Sequence, residues 1–471
     1  MIAGLKPYPD YQDTEHDWLG SVPAHWSLLR AKRLFREVDE RSKTGKEELL
    51  SVSHLTGVTP RRLKNVTMFM AESNVGHKVC RPGDLVINTL WAWMAALGVT
   101  RHMGIVSPAY GVYRTIGNDC ILPVFADHLL RTPLYAAEYQ RRSTGVNSSR
   151  LRLYPEQFLS MPVLVPPLEE QAAIVQFLDW ANGRLERAIR AKRKVIALLT
   201  EQKQAIIRRA VTRGLDTTSP LKASGISWLG DIPAHWDVWR ISRFARVGNG
   251  STPSRAKPSY WNGGTYPWLN SSQVNRSYID RAEQFITRTA LRECHLPRVP
   301  TGSVLVAITG QGKTRGMSAQ LGIEATINQH LAFITPQLPV VSTEYLHLAL
   351  SAAYPQLRAI SDDTGSTKGA LTCEDLKRFK LALPPPHEQA ELVERVRTET
   401  RTISDAGERL EREIDFLREY RTRLVADVVT GKLDVREAAA RLPDEAATAI
   451  ETEPGDVADN PELIDEEATE A

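Results

Sequence analysis

"WLGSVPAHW" at residues 18–26 returns as "WLGDIPAHW" at residues 228–236, so one chain writes the same nonapeptide twice, 210 residues apart. The copies are not isolated. "STGVNSSRLRLYPEQFLSMPVLVPPLEEQ" (143–171) is echoed by "DTGSTKGALTCEDLKRFKLALPPPHEQ" (363–389), and "AIIRRAVTRGLD" (205–216) by "RLVADVVTGKLD" (423–434) at an offset of 218. Each half reads as a Trp-rich opening, a middle stretch of about 140 residues that differs between the copies, and a charged helical segment. A frame that is kept while its contents change predicts a chain with two equivalent faces, built for a partner that also has two.

The helical segments carry the clearest local signals. Pro166-Pro167 and Pro384-Pro385-Pro386 suit a first helical turn, and Glu169, Glu170 and Glu388 complement the positive end of the helix dipole. Val396, Ile403, Leu410, Leu417 and Leu424 then recur every seven residues, with Ile414 and Val428 in the companion seam. This is coiled-coil spacing. The first helix supplies Leu178, Leu185, Leu199 and Ile206, with Ile189, Ile196 and Ala210 beside them and Lys192 as the one break. Some 45 residues at 1.5 Å each make a rod of roughly 68 Å, the length of a spacer. Residues 168–213 hold 10 Lys or Arg against 5 Asp or Glu, whereas 387–430 hold 8 against 11, so opposite charge favours one helix packing on the other. The chain must return after each middle stretch, which predicts that they run antiparallel.

The middle stretches alternate short apolar runs with turn residues. "GDLVIN" (83–88) and "GSVLVAI" (302–308) predict matched strands, "GIVSPAYGVYRTI" (104–116) and "EATINQHLAFITP" (324–336) further strands, and 124–141 and 342–360 helices. The expected fold class is α+β: two mixed α/β domains, two long helices as an antiparallel coiled coil, and a pseudo-twofold.

Composition narrows the function. With 42% hydrophobic and 24% charged residues the chain reads as globular, no run of about 18 apolar residues could cross a membrane, and the N-terminus lacks a signal-peptide pattern. A cytoplasmic location follows as the expectation. Cys80, Cys120, Cys294 and Cys373 are scattered, so no metal or redox motif is implied. The net charge of +3 hides an asymmetry: residues 437–471 hold 12 Asp or Glu against one Arg, leaving +14 on residues 1–436. The acidic tail is expected to be disordered, and the basic body favours a polyanion.

Catalytic patterns are missing. "AITGQGKTRG" (307–316) contains Gly312-Lys313-Thr314, but Ala307 stands where a phosphate-binding loop needs its first glycine. A nucleotide enzyme resting on residues 307–314 is therefore the lesser alternative. The histidines form no zinc pattern, His25 and His235 of the nonapeptides read as packed structural groups, and no Asp/Asn-Pro-Pro-aromatic motif for base methylation occurs. What the loops do hold is nucleic-acid chemistry. Gln311 suits adenine, Arg315 guanine and Lys313 a phosphate, with Thr314 beside them. Asn88, Trp91 and Trp93 stand at the matching place of the first half. Arg61, Arg62, Lys64, Arg141, Arg142, Arg150 and Arg152 cluster near turns of the first middle stretch, while Asn270, Ser272, Gln273, Asn275, Arg276 and Lys368 do so in the second.

The two nonapeptides, "NTLWAWMAALG", "TGQGKTRG", "PPLEEQAAIVQFLD", "PPPHEQ" and "RLVADVVTGKLDVR", in this order over residues 7–436, resemble the specificity subunit of type I restriction-modification systems. The resemblance implies target recognition domains at 1–166 and 217–384, coiled-coil helices at 167–216 and 385–436, and leaves 437–471 as a tail outside it. It further implies that each recognition domain reads one half of a split double-stranded DNA site. The helices would fix the gap and dock two methylation subunits. The chain itself would hold no cofactor and perform no catalysis. S-adenosylmethionine would belong to the methylation subunits, and ATP and Mg to the restriction motor subunits. Half-sites read from one DNA face would lie on the order of 10 bp apart. A coiled-coil scaffold without a DNA role is the remaining alternative.

Overall fold

The computed structural model describes residues 5–63, 73–117, 120–145, 151–216, 218–310, 312–362 and 369–443, so the acidic tail from residue 444 lies outside the described residues. The chain forms two compact units, one from residues up to 191 together with those from 412 on, the other from residues 192–411.

In the first unit the order is β1 (Ser27–Arg30), β2 (Phe35–Glu37), β3 (Leu85–Ile87), β4 (Leu97–Val99), β5 (Gly111–Thr115), α1 (Pro123–Leu130), α2 (Pro133–Arg142), β6 (Pro162–Val165) and α3 (Leu168–Arg213), of which residues up to 191 belong to this unit. Four strands make an antiparallel sheet of order β2-β5-β3-β4, and β6 pairs with β1. Leu85, Val86 and Ile87 are all buried because β3 lies between two neighbours and is covered on both faces.

The second unit repeats this plan. It contains β7 (Asp237–Arg240), β8 (Ala245–Asn249), β9 (Tyr266–Leu269), β10 (Ser303–Ala307), β11 (Ser318–Leu321), β12 (Thr326–Ile327), β13 (Leu331–Pro336), α4 (Thr343–Ala352), α5 (Tyr354–Asp362), β14 (Lys380–Leu383) and the first part of α6 (Pro386–Val429). The order β8-β13-β10-β11 matches that of the first sheet, and β14 pairs with β7 as β6 does with β1. The second sheet adds a fifth strand, Tyr278–Ile279, parallel to β11. The repeated frame is thus a repeated topology.

Four strand candidates stand where the apolar runs place them. The two helix candidates are each split. Pro133 carries no amide hydrogen and disfavours a helical residue before it, so α1 ends at Leu130 and Thr132 caps α2 by accepting the Tyr135 N–H. In the second unit α4 ends at Ala352 and α5 starts at Tyr354, just before Pro355.

The nonapeptide is the joint between strand and long helix. In the first unit Trp26 donates its indole N–H to Glu170 Oε1 at 2.9 Å, His25 donates to Oε2 at 2.7 Å and the Tyr8 hydroxyl donates to Oε1 at 2.5 Å. In the second, Trp236 donates to Glu388 at 3.0 Å and His235 at 2.9 Å. The next residue closes the joint: Gln171 donates to the Pro166 carbonyl and accepts from the Leu122 N–H ahead of α1, as Gln389 donates to Pro384 and accepts from Ser342 ahead of α4. Glu and His-Trp recur together because the carboxylate satisfies both ring N–H groups, while the Gln beside it satisfies the backbone on either side of the joint.

The glycine of "GLD" and "GKLD" has the same logic. Gly214 and Gly431 follow their helices at φ +71° and +78°, the left-handed conformation that ends a helix. At Gly431 a Cβ would stand 2.4 Å from Pro23, within the first nonapeptide. In the first unit Ile174, Phe177, Leu178 and Ala181 share a core with Leu424, Val428 and Val429, and Arg421 pairs with Glu186. In the second unit Ile207, Ala210 and Val211 share one with Leu392 and Val396, and Lys203 donates to Ser404 at 2.9 Å.

Burial has a pH consequence. It lowers His347 on α4 from its ordinary 6.5 to about 4, beside the Ser318 hydroxyl at 3.1 Å. Above pH 6.5 neither the folded nor the unfolded state binds this proton, so stability is unaffected; as pH falls from 6.5 to 4 the unfolded state takes it first and folding weakens. His347 is half-buried, so the expected loss is held to about 2 kcal/mol. His347→Gln should flatten the urea midpoint of the second unit across this pH window, and an unchanged slope would reject the assignment.

Candidate nucleic-acid interface

In each unit the loops at one end of the sheet are brought together by strand register. Gly111, which starts β5, faces Ile87, the last residue of β3; Leu331, which starts β13, faces Ala307, the last residue of β10. The loops after β3 and before β5 therefore meet in the first unit, as do those after β10 and before β13 in the second.

The first tip is aromatic. Trp91 and Trp93 stack with ring centroids 5.9 Å apart and planes 21° from parallel, both half-buried. Ala95, at φ +58°, turns the chain back into β4. Asn88 is buried and donates to the Tyr110 hydroxyl at 3.0 Å, while the Thr89 hydroxyl donates to the Ala109 carbonyl. Asn88 thus ties the two loops together.

The second tip is polar. Residues 312–317 turn into β11 and not into a helix, and the carbonyls of Gly312 and Lys313 accept bonds from Arg358 and Tyr354. A phosphate cradle needs converging amide donors at a helix start, so the nucleotide-enzyme alternative loses its loop. Lys313 is exposed and Thr314 half-buried beside it. Arg315, expected to pair guanine, is 4% exposed and committed to Asp362 and, at 2.7 Å, to the Gly369 carbonyl. To reach a base it would abandon both partners. Gln311 and Lys368 lie outside the described residues.

The other candidates divide in the same way. Arg61 is half-buried, Arg62 is exposed and pairs with Glu48 at 2.6 Å, and Lys64 lies outside the described residues. Arg141 and Arg142 both grip buried Glu138, at 2.6 and 2.5 Å, and hold its carboxyl below the usual range against the opposing effect of burial. Arg141 still shows most of its side chain to solvent, whereas Arg142 is mostly buried. Arg152 pairs with Thr144 in a backbone bridge, and Arg150 lies outside the described residues. In the second unit Asn270 accepts from the Ser272 N–H and hydroxyl, which shapes the turn after β9. Gln273 is buried with its Oε1 unpartnered. Ser272, Asn275 and Arg276 are exposed, Arg276 pairing with Glu283 at 3.4 Å.

The sequence reading passed over three groups. Arg255 lies 3.7 Å over the Trp261 ring. Thr252, Gln329 and His330 form a hydrogen-bonded chain at the second tip. Asp84, buried, takes both arms of Arg114 at 2.8 Å. None of these carries a sequence motif, and strand pairing brings Thr252 to Gln329 and His330. Among the described residues no group of three or more His, Cys, Asp or Glu could hold a metal ion, and no helix is long and apolar enough to cross a membrane.

A family model described as type I restriction modification DNA specificity domain matches residues 233–412. The chain is similar to the type I restriction enzyme MjaIX specificity subunit of Methanocaldococcus jannaschii, 34% identical over 167 residues that cover 35% of this chain and 38% of that protein. It is also similar to the EcoR124I/EcoR124II specificity subunit of Escherichia coli, 26% identical over 168 residues, 36% of this chain and 41% of the relative. The matched parts are thus about two fifths of these relatives' lengths. A solved structure, from work on complex assembly and conformational transition of the type I R-M system, shares the fold with a TM-score of 0.56 at 17% identity over 88% of this chain and 99% of that one. The similarity to type I restriction modification DNA specificity domains thus rests on residues 233–412 of this chain.

Proposed function

We propose that this chain is the sequence-specific DNA-binding specificity subunit of a type I restriction-modification complex, reading a bipartite target and directing adenine methylation and restriction by its partners. The observation that carries the reading is one four-stranded sheet order present in both units, with Trp91 and Trp93 at one tip and Thr252, Gln329 and His330 at the other. A common frame with unlike tips is what two different half-sites require. Residues 1–166 and 217–384 serve as the recognition domains. Residues 167–216 and 385–436 form an antiparallel coiled coil, supported by the Glu186–Arg421 and Lys203–Ser404 contacts, each within its own unit. A pseudo-twofold relates the halves, and the helices dock two methylation subunits. Restriction motor subunits join them. The chain works in the cytoplasm, is not itself an enzyme and holds no cofactor; S-adenosylmethionine, ATP and Mg belong to the partners.

Adenine methylation is mapped in cells carrying this chain with its methylation subunit, and in cells lacking only this chain. The expected result is loss of a split motif, two short specified blocks around an unspecified gap. Unchanged methylation with an assembled complex would favour the scaffold alternative. Phosphate neutralisation also predicts that DNA affinity falls on the order of 10³-fold between 50 and 200 mM salt; a flat salt response in a filter-binding titration would count against it.

A further inference from the structure

We infer that Gln329 reads an adenine in the half-site taken by the second unit, with Thr252, His330 and Thr309 as positioning residues; this rests on the function proposed above. Three separate segments meet here. Gly250 follows β8 so closely against β12 that a Cβ would stand 1.8 Å from the Ile327 carbonyl oxygen. Asn328, 5% exposed, donates its N–H to the Leu269 carbonyl at 2.9 Å and accepts the His330 N–H at 3.0 Å, which fixes the turn that carries Gln329.

On this rigid base the side chains form an exposed relay. The Thr252 hydroxyl donates to Gln329 Oε1 at 2.6 Å, and Gln329 Nε2 donates to His330 Nε2 at 3.1 Å. An imidazole that accepts at Nε2 carries its proton on Nδ1, so His330 donates from there to Thr309 Oγ1 at 2.6 Å. Water competes for bonds between exposed groups, so this chain adds little to folding. Its effect is to hold the Gln329 amide in one orientation. A primary amide has two N–H donors and two acceptor lone pairs. The relay uses one of each and leaves one of each, the donor–acceptor pair that matches adenine N7 and N6 in the major groove.

The first unit supports this placement by contrast. Register makes Ala109 and Tyr110 the counterparts of Gln329 and His330, while Thr89 and Thr309 are the same residue. The threonine recurs but bonds the Ala109 carbonyl in the first unit and the His330 ring in the second, and the reading position differs.

The test is methylation mapping with the assembled complex carrying Gln329→Ala, Gln329→Glu or Thr252→Val. Both Gln329 variants are expected to lower discrimination at one A·T position of one block by about tenfold or more, with the other block unchanged. Thr252→Val is expected to relax the same position by a smaller factor. Gln329 is exposed, so the thermal transition should not move. An unaltered motif, or weaker methylation spread evenly over both blocks, would overturn the assignment. A wild-type complex that leaves no split motif would instead defeat the proposed function, so the two failures are distinguishable.

Discussion

Glu170→Ala should destabilise the first unit by about 4 kcal/mol, the largest single-residue effect expected outside the sheets. Its side chain is 5% exposed and accepts from Tyr8, Trp26 and His25 at once. Removing the carboxylate leaves three donors facing a cavity, and each unsatisfied buried donor costs roughly 1–3 kcal/mol. His25 is partly exposed and can turn to water, which lowers the sum. Burial and the neighbouring carboxylate also push the Tyr8 hydroxyl well above its ordinary range, so it stays a donor at any working pH. Glu388→Ala should cost about half as much, because Glu388 is 17% exposed and, among the described residues, accepts from Trp236 and His235 alone. The two substitutions, compared by urea unfolding, separate the joints. A Glu170→Ala loss below about 1 kcal/mol would show that packing of Trp26 alone carries the joint.

The second large effect is expected at Gly250. Unlike Gly431, it does not need a left-handed backbone; it needs the missing Cβ, because the Ile327 carbonyl lies 1.8 Å from where one would be. A backbone atom cannot rotate aside as a side chain can. Gly250→Ala must therefore part the β8 end from β12 and tilt the Thr252–Gln329–His330 relay. Overpacking of this kind costs typically 1–3 kcal/mol, and the local displacement bears directly on the reading loop. Methylation by the assembled complex should lose one block of its split motif while the other block persists. A motif intact in both blocks would mean that the tip does not read DNA. Gly312, whose Cβ would meet nothing within 4 Å, provides the matched control, since Gly312→Ala changes a glycine nearby without a clash.

Several candidate contacts already have charge partners within the chain. Arg315, Arg141 and Arg142 read as DNA ligands because arginine in a loop is usually free. Each has an acidic partner that the chain places far from it in sequence or just inside a helix: Asp362 for Arg315, Glu138 for the other two. The folded body is basic in sum, yet part of that charge is already neutralised at short range. Arg62 with Glu48 and Arg276 with Glu283 are more exposed pairs at the surface, where salt and solvent weaken them and phosphate can compete.

Sequence alone determined the frame. The nonapeptides, the Glu-Gln and Gly-Leu-Asp repeats and the seven-residue seams are local patterns, each written in a run short enough to read, and they fold into joints, helix ends and long helices wherever the chain carries them. Local rules also placed the strands, since an apolar run between turn residues has few other ways to bury itself. Tertiary structure decided the tips. Thr252 lies 77 residues from Gln329 and its neighbour His330 and shares no motif with them; only the pairing of β8 with β13 and of β9 with β12 brings them together. It decided the fate of Asn88, Gln273 and Arg315 as well, because burial is a property of what surrounds a residue and not of its type. A polar side chain in a loop is a contact or a brace according to whether its partners come from outside or from the chain itself, and that assignment exists only after the strands have paired.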